Sequence, residues 1–196
     1  MNATNWLLQP YHEHLRRTLT PRRYAHSVAV MDVMARLAAV YDLDPGVAQT
    51  IGLLHDLAHD IAPEEQLRLA EAIPLPLQHA SERHPTILHA PLGAHLAQAD
   101  LGITDPVILA AITQHSYCGE NAPFSARYAW CLRFADMLEP GRTWQDLTAQ
   151  LAEPVYGGDL EQGARILVGW MIPFLHRRDL PVHPNLYQLH RQFFDN

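Results

Sequence analysis

Three capping side chains each stand directly before a proline, at Thr20-Pro21, Asp44-Pro45 and Asp105-Pro106. A side-chain oxygen there accepts from the free N–H groups of a first helical turn. Proline suits the first helical position because its missing N–H has no partner there anyway. Pro63 followed by Glu64 and Glu65 opens a further helix, with acids at the positive end of its dipole. Behind these starts, apolar residues recur at three- and four-residue spacing, which is the stripe of a helix with one buried face. Tyr24, Val28, Met31, Ala35 and Ala38 follow Pro21; Val47, Ile51 and Leu54 follow Pro45. Leu88, Leu92 and Leu96 repeat the spacing, as do Ile108, Ala111 and Ile112 after Pro106. Segments 126–138 and 158–175 read as two more helices, the second predicted to bend or end at Pro173. Alternating β-branched runs joined by hairpin turns are missing. The pattern predicts one all-α domain of about seven to nine helices over residues 1–196.

Composition sharpens this. The chain has 196 residues, 48% hydrophobic and 18% charged, enough to bury a sizeable core and too apolar for intrinsic disorder. All 14 basic residues are arginine; there is no lysine. Against 21 acids the net charge is -7, which argues against a nucleic-acid partner. No apolar stretch is long enough to span a membrane, and residues 1–14 lack the apolar run of a signal peptide. Cys118 and Cys131 are too few for a disulfide framework, so a reduced, cytoplasmic protein is expected. Segments 72–81 and 117–125 read as loops inside the domain. The count that stands out is 13 histidines, which directs attention to metal or proton chemistry.

His55-Asp56 closes the apolar run Ile51-Gly52-Leu53-Leu54, where a polar pair needs partners as it becomes buried. His59-Asp60 follows four residues later. In a chain this rich in both residue types, a bare His-Asp pair carries little weight. The other placements carry more. His26 lies one turn into its helix, His89 follows Ile87-Leu88, and His115 closes the helix begun at Pro106. Asp136 stands among Phe134, Ala135, Met137 and Leu138, costly to bury unless it is paired or bound to a cation. Any one of these histidines alone would read as a core residue bonded to a carbonyl. Together with two carboxylates they suit Fe, Mn, Co, Ni or Zn rather than Ca or Mg. His55 and His59 also mimic the His-Glu-x-x-His pattern of zinc proteases, but Asp replaces the Glu and Pro63 follows closely.

The ordered set resembles the HD superfamily of metal-dependent phosphohydrolases, and within it the YqeK-type branch of symmetrical diadenosine tetraphosphate hydrolases. The resemblance runs from Arg23-Tyr24-Ala25-His26 through Gly52-Leu53-Leu54-His55-Asp56 and Leu88-His89-Ala90-Pro91 to Thr113-Gln114-His115. It ends with Ala135-Asp136-Met137-Leu138-Glu139-Pro140-Gly141-Arg142, so a motif-bearing core over about 20–142 precedes C-terminal helices over 143–196. The resemblance implies a single helical HD-type domain with two transition-metal ions, iron first among them. His26, His55, Asp56 and Asp136 would hold one ion; His89 and His115 would hold the second, with Asp56 bridging. It implies metal-assisted hydrolysis of a phosphoanhydride, diadenosine tetraphosphate giving two ADP. Asp56, His59 and Asp60 are the candidate catalytic residues, and Arg23, His59, Ser116 and Arg142 the candidate substrate contacts.

Two positions depart from the branch. A lysine usually stands three residues after the Asp of the His-Asp pair; here it is His59, so a cationic phosphate contact falls to a protonated His59 or to an arginine. After the fourth histidine the branch has Thr-Thr-Gly, where this chain has Ser116-Tyr117-Cys118-Gly119. Asp60 reads first as a solvated helix end, ahead of a proton-transfer role, and Tyr117 as a loop residue able to stack on a base. His12, His14, His176, His183 and His190 are read as surface residues, Trp130, Trp144 and Trp170 as core. The apolar segment 166–175 leaves room for a homodimer. Another HD-type nucleotidase or phosphodiesterase, and a non-catalytic metal- or nucleotide-binding regulatory module, are the alternative functions.

Overall fold

The capped prolines start helices as expected. In a computed structural model of the chain, which describes residues 8–75, 77, 80–117, 126–142 and 144–195, Thr20, Asp44 and Asp105 accept from the N–H groups of Arg23, Val47 and Val107. They open α2 (Pro21–Val40), α3 (Pro45–Leu54) and α6 (Pro106–Gln114). The others are α1 (Gln9–Thr18), α4 (Pro63–Ala72), α5 (Pro85–Leu101), α7 (Arg127–Leu138), α8 (Gln145–Tyr156), α9 (Leu160–Arg177) and α10 (Pro184–Phe194). That makes ten α-helices and no strand among the described residues, above the expected seven to nine. The excess comes from α1, α8 and α10; the last two bury the stripes Leu147, Leu151, Val155 and Leu186, Leu189, Phe193. Pro173 does not end its helix; α9 continues through it to Arg177.

The central packing is α2 against α3 and α7. Gly52 sets how closely α3 approaches α2, since a Cβ there would lie 2.8 Å from the Cα of Met31. This crossing brings His26 on α2 beside His55 at the end of α3. Helix α6 pairs with α5 and with α3, while α8 and α9 pack against α7 and α10 against α9. Val30, Met34, Leu37, Ile51, Leu53, Leu54, Leu132 and Phe134 are fully buried between these layers. Leu167 and Val168 of the apolar segment 166–175 go into this same core. Among the described residues no helix is long and apolar enough to cross a membrane.

Candidate metal centre

After Leu54 the chain leaves α-helical geometry for consecutive turns, with Leu57 N–H donating to Leu54 O and His59 N–H to Asp56 O. The tightened path drives Asp56 inward, where it is 3% exposed. Four imidazole nitrogens surround its carboxylate. His26 Nε2 and His55 Nε2 lie 3.5 and 3.4 Å from Oδ2; His89 Nε2 and His115 Nε2 lie 3.4 and 3.6 Å from Oδ1. Asp136 Oδ1, from α7, stands 3.1 Å from His26 Nε2. All six expected ligand residues thus meet, drawn from α2, the turn after α3, α5, the end of α6, and α7.

The other ring nitrogens determine what the inward ones can do. Nδ1 of His55, His89 and His115 lies 2.9, 3.1 and 2.8 Å from the carbonyls of Gly52, Pro85 and Ile112. A carbonyl only accepts, so each Nδ1 carries a proton, and in the neutral ring each Nε2 presents a lone pair. His26 Nδ1 meets the buried carboxylate Oε1 of Glu139 at 3.1 Å, with the same consequence. The facing lone pairs have no good partners in the protein. His26 Nε2 and His55 Nε2 are buried without a hydrogen bond, and His89 Nε2 faces His115 Nε2 at 3.0 Å. Nitrogen and oxygen ligands about 2.0–2.2 Å from a transition-metal ion lie roughly 3.0–3.4 Å from one another, close to the spacings here. His26, His55 and Asp56 form one group able to hold a cation; Asp56, His89 and His115 form the other. The donor set suits a transition-metal cation, and Asp56 is common to both groups.

Electrostatics keep both acids ionised. Burial alone would raise the Asp56 pKa, but His55, His115 and His89 together hold it well below the usual carboxylate range. Burial likewise opposes Asp136, and His26 and Arg142 pull it down. Burial works against a charged His55, and the adjoining Asp56 outweighs it and raises its pKa. His115 is pushed by burial down to about 4.

The expected substrate contacts divide. Arg23 Nη1 donates to Asp56 Oδ2 at 2.6 Å, and Arg142 pairs with Asp136 Oδ1, so both guanidiniums border the centre. His59 is not the cation that would replace the lysine: burial lowers its pKa to about 4, and it is neutral at pH 7. Its Nε2 lies 3.1 Å from Arg23 Nη2, outside the ligand cluster and off any common helical face with His55, which removes the zinc-protease pattern. Asp60 Oδ2 accepts from the N–H and hydroxyl of Thr20, both at 2.8 Å, and its Oδ1 lies 3.8 Å from Arg23 Nε. It is therefore no free helix end but a tie between the His-Asp turn and the start of α2. The Ser116 hydroxyl donates to Ile87 O at 2.9 Å, a structural contact instead of one facing Arg23 and Arg142. Cys118 and Gly119 lie outside the described residues.

Several participants went unread in the sequence. Glu139 orients His26. Buried Arg133 donates to the carbonyls of Gln114 and Tyr117 and fixes the backbone on either side of His115. His183 and His12, expected at the surface, are buried; His183 caps α10 and meets Glu82 at 2.9 Å, and Tyr117 stacks on its ring. Trp130 is core, while Trp144 and Trp170 are half-buried. A cleft of about 820 Å³ opens beside the centre, lined by Arg22, Arg23, His26, Glu139, Arg142, Trp144, Phe174 and Arg178, among others.

The HD domain family model matches residues 23–151, a span containing all six candidate ligand residues. A Bacillus subtilis protein named symmetrical bis(5'-nucleosyl)-tetraphosphatase is 30% identical over 175 residues, 88% of this chain and 90% of that one. A protein of the same name from Halalkalibacterium halodurans is 27% identical, over 89% and 90%. The crystal structure of a Clostridium acetobutylicum protein, described as a predicted HD superfamily hydrolase involved in NAD metabolism, superposes with a TM-score of 0.84. It is 26% identical and covers 95% of this chain and 96% of its own. The chain belongs to the HD-domain family.

Proposed function

We propose that this chain hydrolyses dinucleoside polyphosphates, cleaving diadenosine tetraphosphate into two ADP at a centre of two transition-metal ions. The observation that carries the reading is Asp56: a buried carboxylate with two imidazole lone pairs against each oxygen. His26, His55, Asp136 and Asp56 would hold one ion, and His89, His115 and Asp56 the other. Iron comes first in this reading, and Mn, Co, Ni or Zn suit the same nitrogen and oxygen donors. Bound there, such ions lower the pKa of water to near neutrality and offset charge on the attacked phosphate.

The chain supplies the rest. Arg23 and Arg142 rest on the carboxylates of the centre, from which a guanidinium can turn to grip phosphate oxygens bidentately. Asp60, held by Thr20, keeps Arg23 in place from its other side. Neutral His59 can exchange a hydrogen bond with a phosphate oxygen beside Arg23 without adding charge. The names of the relatives support the substrate and the symmetrical cut.

Incubating iron- or manganese-loaded protein with diadenosine tetraphosphate and separating the products tests this. ADP as sole product is expected. AMP plus ATP would overturn the symmetrical cut, and faster turnover of a mononucleotide or signalling nucleotide would favour a different HD-type nucleotidase.

A further inference from the structure

The cleft beside the centre extends past the residues the reaction needs. Contacts lead outward in sequence: Arg142 on Asp136, its guanidinium 4.9 Å over the Trp144 ring, and Trp144 5.5 Å from Phe174. Trp170 and Phe174 on α9 and Arg178, its C-cap, recur every four residues and therefore share one face. Phe174 stacks on Trp170 at 4.5 Å, and the Arg178 guanidinium lies 5.3 Å from the Phe174 ring centre. Trp144, Phe174 and Arg178 all line the cleft, the two rings only half-buried.

Charge singles out the same place. Arg23 and Arg142 are each paired with a carboxylate of the centre. Arg22 and Arg178 also line the cleft, and among the described residues neither has a carboxylate within ion-pair distance. In a chain of net charge -7, two uncompensated guanidiniums beside open aromatic surface make a local site for a flat anion. A purine stacks on aromatic rings and on guanidinium planes, while its phosphates take guanidinium N–H groups. The volume, about 820 Å³, falls in the upper part of the roughly 300–1,000 Å³ range of ligand pockets.

We infer that Trp144, Phe174 and Arg178, with Arg22, form a second nucleotide subsite that holds the half of the substrate leaving the metal centre. The inference rests on the hydrolase reading above and deepens it: the subsite makes two nucleosides bind better than one. Adenosine 5'-tetraphosphate, with the same phosphates and one nucleoside, is the reference substrate. In Arg178→Ala, at an exposed position, the ratio of kcat/KM for diadenosine tetraphosphate to that for adenosine tetraphosphate falls by about 5- to 150-fold, mainly through KM. Phe174→Leu, which keeps apolar bulk but removes the flat ring, moves the ratio the same way. An unchanged ratio in both variants overturns the subsite.

Should the metal-loaded protein cleave neither substrate, the hydrolase reading fails, and the subsite is read by calorimetric titration of the same two nucleotides. A dinucleotide preference in affinity that falls in Arg178→Ala still supports the subsite. Equal preference in variant and parent overturns it.

Discussion

What each histidine does is decided by its second nitrogen. In His55, His89 and His115 a backbone carbonyl takes the Nδ1 proton, which aims a lone pair inward; in His26 a carboxylate does this. A carbonyl acceptor comes with the backbone and survives substitution, whereas the Glu139 acceptor does not. Removing such a partner typically weakens metal binding about 10- to 100-fold. Glu139→Ala should therefore lose metal on dialysis against a weak chelator that the parent withstands, and Glu139→Gln, which keeps a carbonyl oxygen, should recover much of the difference. Retention equal to the parent in Glu139→Ala would show that His26 needs no such support. The imidazoles and carboxylates that meet around Asp56 stood out in the sequence because each is a polar group in an apolar run. Glu139 was not, since a carboxylate just past a helix end looks like any solvated acid until the fold places His26 against it.

Elements position these residues through their irregularities. Pro91 lies inside α5 and has no N–H to offer Ile87 O, four residues earlier. The Ser116 hydroxyl fills that place and ties the turn after His115 to the helix carrying His89. Ser116→Ala strands a carbonyl that helix bonding cannot satisfy, at a cost of about 1–3 kcal/mol. Urea unfolding should report that loss; an unchanged midpoint would mean that water replaces the hydroxyl fully.

At the other end of α2, Tyr41 donates its hydroxyl to Val155 O at 2.8 Å. Burial raises its pKa to about 12, above the ordinary value of about 10. Its contribution to stability is thus complete below pH 10 and is lost as pH rises through 12. Tyr41→Phe should cost about 1 kcal/mol at neutral pH and flatten the alkaline fall in melting temperature between those limits. A fall as steep as the parent's would assign it to other groups.

Helix starts at Thr-Pro and Asp-Pro were readable because those side chains are strong caps. His84-Pro85 and His183-Pro184 start α5 and α10 the same way, with imidazole Nδ1 as the acceptor. Histidine is not among the preferred capping residues, so these two starts carried no signal.

Across the molecule, the motifs occupy α2 to α7, and the helices beyond them build the outer wall of the cleft. Trp144 precedes α8, and Phe174 in the last turns of α9 and Arg178 at its C-cap lie about thirty residues away in the chain. The sequence presents Trp144 and Trp170 as core, and no motif marks Arg178. Only packing α9 on α8 and α7 turns them toward the centre. The absence of lysine also acquires a meaning at this scale. Every cation in the cleft is a guanidinium, able to lie flat on a ring or to grip phosphate with two N–H groups, and His59 beside it is neutral.

All of this depends on two ligand groups that share Asp56, and elemental analysis of the purified protein beside Asp56→Ala tests that most directly. The account predicts about two transition-metal ions per chain in the parent and near-complete loss of both in the variant, because the bridging ligand belongs to each. Equal metal content in the two proteins, or a parent that binds only calcium or magnesium, would contradict it.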